Sequence, residues 1–215
     1  MYDFLMKCVL LGDKNVGKST LLQKFIPKNM PTIGVDFVSN DIRINHHKIR
    51  CHIWDTSGDI NYVNIIRSYL RNSVVALVVF DLSNPQSFDN VDFWIKEFCL
   101  ENPNYKKICI IGTHFDHPRK VSFDMIQYKC SKMNIQYFEI NPEFNIQHIL
   151  LKIGSQIMND YTNMPFYFFG IEGFKENQPQ TSIVSSMDYQ RFDKDEWNGD
   201  NEPCKKYCLK LMCWI

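Results

Sequence analysis

The stretch Gly12-Asp13-Lys14-Asn15-Val16-Gly17-Lys18-Ser19-Thr20 decides how the rest of the chain is read. It fits G-x-x-x-x-G-K-[ST], a loop whose backbone N–H groups cradle phosphate oxygens. Gly12 and Gly17 let the backbone bend so that N–H groups converge on the phosphates at a helix N-terminus. The binding residues expected from it are Gly12, Asp13, Asn15, Val16, Gly17, Lys18, Ser19 and Thr20. Lys18 is positioned to reach the β- and γ-phosphates, and the Ser19 hydroxyl to ligate Mg²⁺. The context agrees: the apolar run Phe4 to Leu11 reads as a buried strand feeding the loop, and Thr20 to Phe25 as the helix leaving it. A chance glycine-rich turn would lack that ordered strand and helix. The pattern implies a protein that binds a nucleoside triphosphate or descends from one that did.

Outward from the loop, 215 residues suit one domain plus an appendage. A hydrophobic fraction of 45% suffices for a substantial core, and zero formal net charge gives no nucleic-acid footprint. No apolar stretch approaches the roughly 18–20 residues that span a bilayer. The chain therefore reads as soluble, or held on a membrane by something other than a span. The first apolar run carries Lys7 and runs into Gly12-Asp13, unlike a secretory leader, which argues for a reducing compartment. Cys8, Cys51, Cys99, Cys109 and Cys130 lie in apolar segments and read as buried thiols.

Ile26 to Gly34 contains two prolines and a glycine, which rule out regular structure. Val35 to Asn45 and Lys48 to Trp54 read as two strands of a hairpin turning near His46-His47. Asp55-Thr56-Ser57-Gly58-Asp59 is a loop at the end of the second, and Tyr62 to Leu70 looks helical. Val74 to Phe80 is an uninterrupted apolar run, as expected of a parallel strand covered on both faces. Gln86 to Leu100 has helical periodicity, with Phe88, Val91, Ile95 and Phe98 on one face. Lys107 to Ile111 is a strand, Ser122 to Met133 a helix, Ile135 to Glu139 a short strand and Asn145 to Met158 the final helix. Alternating strands and helices predict a mostly parallel sheet with helices on both faces, binding its ligand at the strands' carboxyl ends. Residues 161–215 read as a flexible tail, with an aromatic run at 164–169 suited to docking on the domain or a partner and a Cys/Lys-rich end.

With the phosphate loop, Thr32-Ile33-Gly34-Val35-Asp36-Phe37, Trp54-Asp55-Thr56-Ser57-Gly58, Tyr69-Leu70-Arg71-Asn72-Ser73 and Val79-Phe80-Asp81-Leu82-Ser83 in view, the chain resembles a Rab-like small GTPase of the Ras superfamily. The likeness covers roughly residues 4–158. It implies an α/β phosphate-loop NTPase (small G-protein) domain over 1–160, with a mostly parallel six-stranded sheet, followed by a hypervariable tail over 161–215. It also implies GTP or GDP as bound nucleotide and Mg²⁺ held through Ser19, Thr32 and Asp55, the last by way of a water. The Gly58 amide would sense the γ-phosphate, so that its loss releases two loops. Lys18, Thr32, Gly58 and Asp59 are the residues implied for hydrolysis. Effectors, exchange factors and activating proteins would meet residues 32–37 and 55–73, on the cytosolic face of endomembranes in vesicle traffic. By themselves, Thr32 also reads as an ordinary turn residue and Asp55 as a helix cap.

Four departures qualify that likeness. Asp59 stands where the family usually has the glutamine that orients the attacking water. Aspartate is shorter, donates no hydrogen bond when ionised and brings negative charge, so intrinsic hydrolysis is expected to be slow. Only the twelve residues 20–31 separate Ser19 from Thr32, fewer than is usual, which would speed nucleotide exchange. The base-reading Asn-Lys-x-Asp becomes Thr113-His114-Phe115-Asp116. Asp116 keeps the acceptor for guanine N1–H and N2–H, His114 would lie along the purine, and Thr113 loses the amide that contacts the base and braces the phosphate loop. Lastly, Ile140-Asn141-Pro142-Glu143 replaces Ser-Ala-Lys. Aligned without a gap, Pro142 removes the N–H that reads guanine O6, a loss of about 1–3 kcal/mol, and a one-residue shift of the loop would restore it.

Met212-Cys213-Trp214-Ile215 does not fit C-a-a-X, which needs cysteine fourth from the end. The expected lipid attachment is nevertheless at Cys213, with Cys208 as a second site and Lys205, Lys206 and Lys210 aiding contact with anionic lipid; the alternative is an unmodified tail with reactive thiols. Two functions remain open on the residues: a GTP-hydrolysing switch, and a nucleotide-binding scaffold that recruits partners without turnover. A phosphate-loop kinase or ATPase gives no role to Thr32–Phe37 and Trp54–Gly58.

Overall fold

The computed structural model of the chain describes residues 2–23, 25, 32, 34–103, 106–141, 145–163 and 172–173, with side chains as far as 160. The aromatic run at 164–169, the cysteines of the chain's end and Pro142 lie outside the described residues.

β1 (Phe4–Leu11) runs parallel to both neighbours, β3 (His47–Thr56) on one side and β4 (Val75–Asp81) on the other. β5 (Lys107–Thr113) and β6 (Gln136–Glu139) extend the parallel sheet beyond β4, and β2 (Val35–Ile44) closes the other edge antiparallel to β3. The spatial order is β2-β3-β1-β4-β5-β6, so the chain's direction of travel across the sheet reverses at β1. Crevices at such reversals are where open α/β sheets hold ligands. The loops after Leu11, Thr56, Asp81 and Thr113 all emerge at that carboxyl edge. A two-residue β7 (Glu172–Gly173), unforeseen in the sequence, pairs antiparallel with Phe4 and Leu5.

Side-chain alternation splits the sheet into two covered faces. Met6, Cys8 and Leu10 join Leu77, Val79, Cys109 and Ile111 on one face, under α6 (Ile146–Asn163) with Ile146, Ile149, Leu150, Ile153 and Ile157. On the other, Phe80 meets Phe88 of α3 (Pro85–Asp89), and α4 (Val91–Glu101) buries Trp94, Ile95 and Phe98. Because both faces are covered, β4 is buried from Val75 to Phe80, which explains its unbroken apolar run. The edge strand β2 instead alternates, burying Val38, Ile42 and Ile44 while exposing Phe37, Ser39 and Arg43.

Several elements differ from the expected bounds. α1 (Lys18–Leu21) is a single turn, because after Leu21 N–H donates to Gly17 O the bonds tighten to three-residue spacing at Leu22 and Gln23. A 3₁₀ turn (Ile60–Tyr62) precedes α2 (Val63–Leu70). The predicted helix over 86–100 is two helices broken at Asn90, where α3, started by the Asn84 cap and Pro85, ends. α5 (Phe123–Met133) begins at the Ser122 cap and ends at left-handed Asn134, and α6 runs five residues past Met158 to Asn163. No helix among the described residues is long and apolar enough to cross a membrane. Cys8, Cys51, Cys109 and Cys130 are buried free thiols, and Cys99 is half-buried.

α2 is bound to α4 by polar contacts. Arg67 donates to both Glu97 oxygens, at 2.6 and 3.1 Å, and Arg71 to Glu101 at 2.9 Å. Buried Asn102 accepts from Ser73 N–H at 3.2 Å and donates its amide to the Leu70 and Phe98 carbonyls. It thereby adds to the backbone bonds where α2 hands over to β4, Ser73 N–H to Leu70 O and the Asn102 N–H to Phe98 O. Asn102→Ala removes these side-chain bonds but leaves Ser73 N–H on Leu70 O and the residue-102 N–H on Phe98 O, so it should cost about 1–2 kcal/mol of stability. Urea denaturation checks this: the midpoint should fall with an unchanged slope, and a midpoint near that of the unsubstituted protein would remove the role given to Asn102.

Candidate nucleotide-binding site

The loop after β1 has the bent backbone that the glycines imply. Gly12 (φ 133°), Asn15 (φ 62°) and Gly17 (φ 85°) all take positive φ. Gly12 could not be another residue, since a Cβ there would run into the Val79 carbonyl. Lys18 is buried, and its Nζ donates to Gly12 O at 2.9 Å and Asp13 O at 2.6 Å. Burial pulls its pKa down to about 8, and the nearby Asp55 and Asp13 carboxylates oppose that fall. Asp13 turns away from the loop's mouth: it accepts from Asn90 Nδ2 at 2.7 Å and from Trp94 Nε1 at 2.8 Å. The helix break at Asn90 thus ties the loop to the sheet's α3–α4 face.

Ser19, Thr32 and Asp55 converge from three separate segments. Ser19 Oγ donates to Asp55 Oδ2 at 2.5 Å, Thr32 Oγ1 donates to the same oxygen at 3.0 Å, and the two hydroxyls lie 2.9 Å apart. Asp55 is buried, and its Oδ1 has no hydrogen-bond partner among the described residues. Two hydroxyls and a carboxylate oxygen without a partner are hard oxygen donors that suit Mg²⁺, which keeps several waters and takes one or two protein ligands. The residues present fit that ion. Thr56 Oγ1 donates to Leu10 O at 2.7 Å and holds the end of β3 beside the start of the loop.

The segment after β3 folds against the phosphate loop. A Cβ added to Gly58 would collide with Gly12 O, Lys18 Nζ and the Asp13 carbonyl carbon, so glycine alone allows this approach. Ser57 N–H donates to Gly34 O at 2.9 Å, joining this segment to the one that carries Thr32. Asp59 is engaged on both carboxylate oxygens: Oδ1 accepts from Asn61 N–H at 3.0 Å and Oδ2 lies 2.7 Å from Lys14 Nζ. The Lys14 ammonium, helped by the Asn61 amide, holds the Asp59 carboxyl below its ordinary range. The charge that the sequence places near the nucleotide is therefore compensated by a lysine of the loop itself.

On the far side, Thr113 keeps a role that its residue type had been expected to forfeit. Its hydroxyl lies 2.7 Å from Val16 O and 2.9 Å from Phe80 O, its one proton serving either carbonyl. The brace on the phosphate loop survives the loss of the amide. His114 (φ 55°) places Nδ1 3.1 Å from that hydroxyl and 3.6 Å from Asp81 Oδ2, and its ring packs on His117 with centroids 5.1 Å apart. Asp116 and Asn141 are exposed on neighbouring loops. The structure thus brings together Lys18, Ser19, Thr32, Asp55, Gly58 and Asp59, with Thr113 and His114 against the loop's other flank. Sequence reading missed Lys14, Asn90, Trp94 and Thr56. Asn90 and Trp94 had one available signal, polar groups on the buried face of an apolar helix.

Comparison with known proteins agrees with this geometry. The model of the Ras family matches residues 7–159. The GTP-binding protein ypt3 of Schizosaccharomyces pombe is 36% identical over 171 residues, covering 74% of this chain and 80% of its own length. The Ras-related protein YPTC6 of Chlamydomonas reinhardtii is 33% identical over 181 residues, covering 76% of this chain and 84% of its own. The Ras-related protein Rab-5B of Plasmodium falciparum is 31% identical over 173 residues, covering 77% and 84%.

Thr113→Val keeps the shape and removes the hydroxyl, leaving the Val16 carbonyl without its donor. Loosening that brace by about 1–1.5 kcal/mol should speed release of a bound nucleotide roughly ten-fold. Stopped-flow displacement of a fluorescent nucleotide measures this, and an unaltered off-rate would show that the brace carries nothing.

Proposed function

This chain belongs to the Ras family as a Rab-like small GTPase, and from that premise we propose that it is a guanine-nucleotide switch acting in intracellular vesicle traffic. The observation that carries the reading is the meeting of Ser19, Thr32 and Asp55 around one carboxylate, beside a buried Lys18 in a left-handed glycine loop. Lys18 binds the phosphates, and Mg²⁺ when bound neutralises charge on their oxygens. Thr32 and Gly58 sit on the two segments linked through Ser57 N–H and Gly34 O, so a change at one is felt at the other. Asp116 accepts the guanine N–H groups, and the exposed face of His114 packs along the base.

The partner-binding surface follows from the same segments. Phe37, Trp54 and Tyr69 form an aromatic row with centroids 4.9 and 5.1 Å apart; Phe37 is exposed, as are Ile60, Tyr62 and Ile65 of the segment after β3. An apolar strip flanking the phosphate-sensing loops suits effectors, exchange factors and activating proteins over residues 32–37 and 55–73. A lipid on Cys213, with Cys208 as a second site, would hold the 161–215 tail on the cytosolic face of endomembranes.

Hydrolysis is slow in this reading. Asp59 cannot orient water as a glutamine does, because an ionised carboxylate is shorter, donates no hydrogen bond and brings negative charge towards the γ-phosphate. The same missing donor favours a second reading, a nucleotide-dependent scaffold that never turns over.

Affinities for GTP, GDP and ATP with and without Mg²⁺ test the first reading: micromolar or tighter binding of both guanine nucleotides, weakened by chelation, is expected, and failure to bind either removes it. Asp59→Gln should raise single-turnover phosphate release at least about ten-fold. No phosphate from either protein over hours would leave the scaffold as the function.

A further inference from the structure

The Lys14–Asp59 ion pair spans two segments that the nucleotide's terminal phosphate must also engage, and this frames a question of competition. Lys14 is the third residue of the glycine loop, and its ammonium crosses to the carboxylate that follows Gly58. Gly58 itself lies against Gly12 O and Lys18 Nζ, so the Lys14 and Lys18 ammonium groups flank the same short piece of backbone. The loop's own acid does not neutralise Lys14, because Asp13 points the other way and is held by Asn90 and Trp94. Lys14 is 58% exposed, on a long flexible stem, whereas Asp59 is only 16% exposed. Of the two partners, the lysine is the one free to swing.

We propose that Lys14 is a second phosphate-reading cation, which leaves Asp59 for the terminal phosphate of GTP and returns to Asp59 when only GDP is bound. The inference rests on the switch reading above and deepens it: two anions, one carboxylate and one phosphate, compete for one ammonium. A terminal phosphate carries more charge than a carboxylate and offers the ammonium more acceptor oxygens for charge-assisted hydrogen bonds. With GDP, the pair pins the Ile60–Tyr62 turn to the phosphate loop through the Asp59 side chain that also caps it. With GTP, that pin is withdrawn. The residue therefore adds selectivity for the triphosphate and a release of the turn in one movement.

An ion pair of no functional meaning is the competing view, since exposed pairs are commonly worth little. Displacement of fluorescently labelled GDP from the full-length protein by unlabelled GTP and GDP separates the two. Lys14→Met should lower the GTP:GDP affinity ratio about ten-fold while Lys14→Arg keeps it within roughly three-fold of the parent, the cation being what matters. Asp59→Asn, by removing the competitor, should raise the ratio about three-fold. If Lys14 only tied the turn down, Lys14→Met would leave the ratio unchanged or raise it, and either result overturns the inference. So does an unchanged or lower ratio for Asp59→Asn. Should the unsubstituted protein bind neither nucleotide, the switch reading itself falls, a failure distinct from intact binding with an indifferent Lys14.

Discussion

An ammonium group shut away from water governs this architecture. Lys18 is 5% exposed, and desolvating such a charge costs several kcal/mol unless something of opposite sign comes near. The carbonyls of Gly12 and Asp13 and the carboxylates of Asp55 and Asp13 offset part of that cost, yet the pKa still falls to about 8. What remains is an unmet demand for negative charge at the mouth of the loop. A polyphosphate is the kind of anion that answers it. The same demand accompanies the crowding of polar contacts there, where, among the described residues, Asp55 Oδ1 is the site's one buried carboxylate oxygen left without a hydrogen-bond partner.

The flank that carries Thr113 shows that a contact can survive a change of residue type. Replacing an amide by the Thr113 hydroxyl shortens the side chain, but Val16 O still lies 2.7 Å away. The brace depended on reach and on a donor, and threonine supplies both. Asp59 illustrates the converse. Its charge looked disruptive when considered alone, and beside Lys14 it becomes one half of a neutral pair.

Much of the framework was legible along the chain because it depends on local periodicity. The Val74–Phe80 run, the helical stripe from Phe88 to Phe98 and the glycine spacing each announced an element, and the sheet followed from their alternation. What escaped was set by tertiary approach. The stretch 86–100 keeps helical periodicity throughout, and only the reach of Asn90 to Asp13, 77 positions away, marks the break. Lys14 and Asp59 are each unremarkable at their own positions and acquire meaning together. Ser19 was legible from the glycine-loop motif and Thr32 and Asp55 through family likeness; their spacing alone would not have joined the three. α1 was expected to be longer because the residues after Leu21 favour helix, while the tightened hydrogen bonding beyond the loop stops it.

The clamp between α2 and α4 has a mechanical consequence. Two guanidinium–carboxylate contacts and the Asn102 amide secure α2 along its length and at its exit into β4. Any rearrangement driven from the phosphate end must be absorbed upstream of Val63, within a tether of a few residues. Such a tether stores little elastic energy and transmits no rotation, so a protein docking here would sense presence or absence of a short surface element, a latch more than a lever.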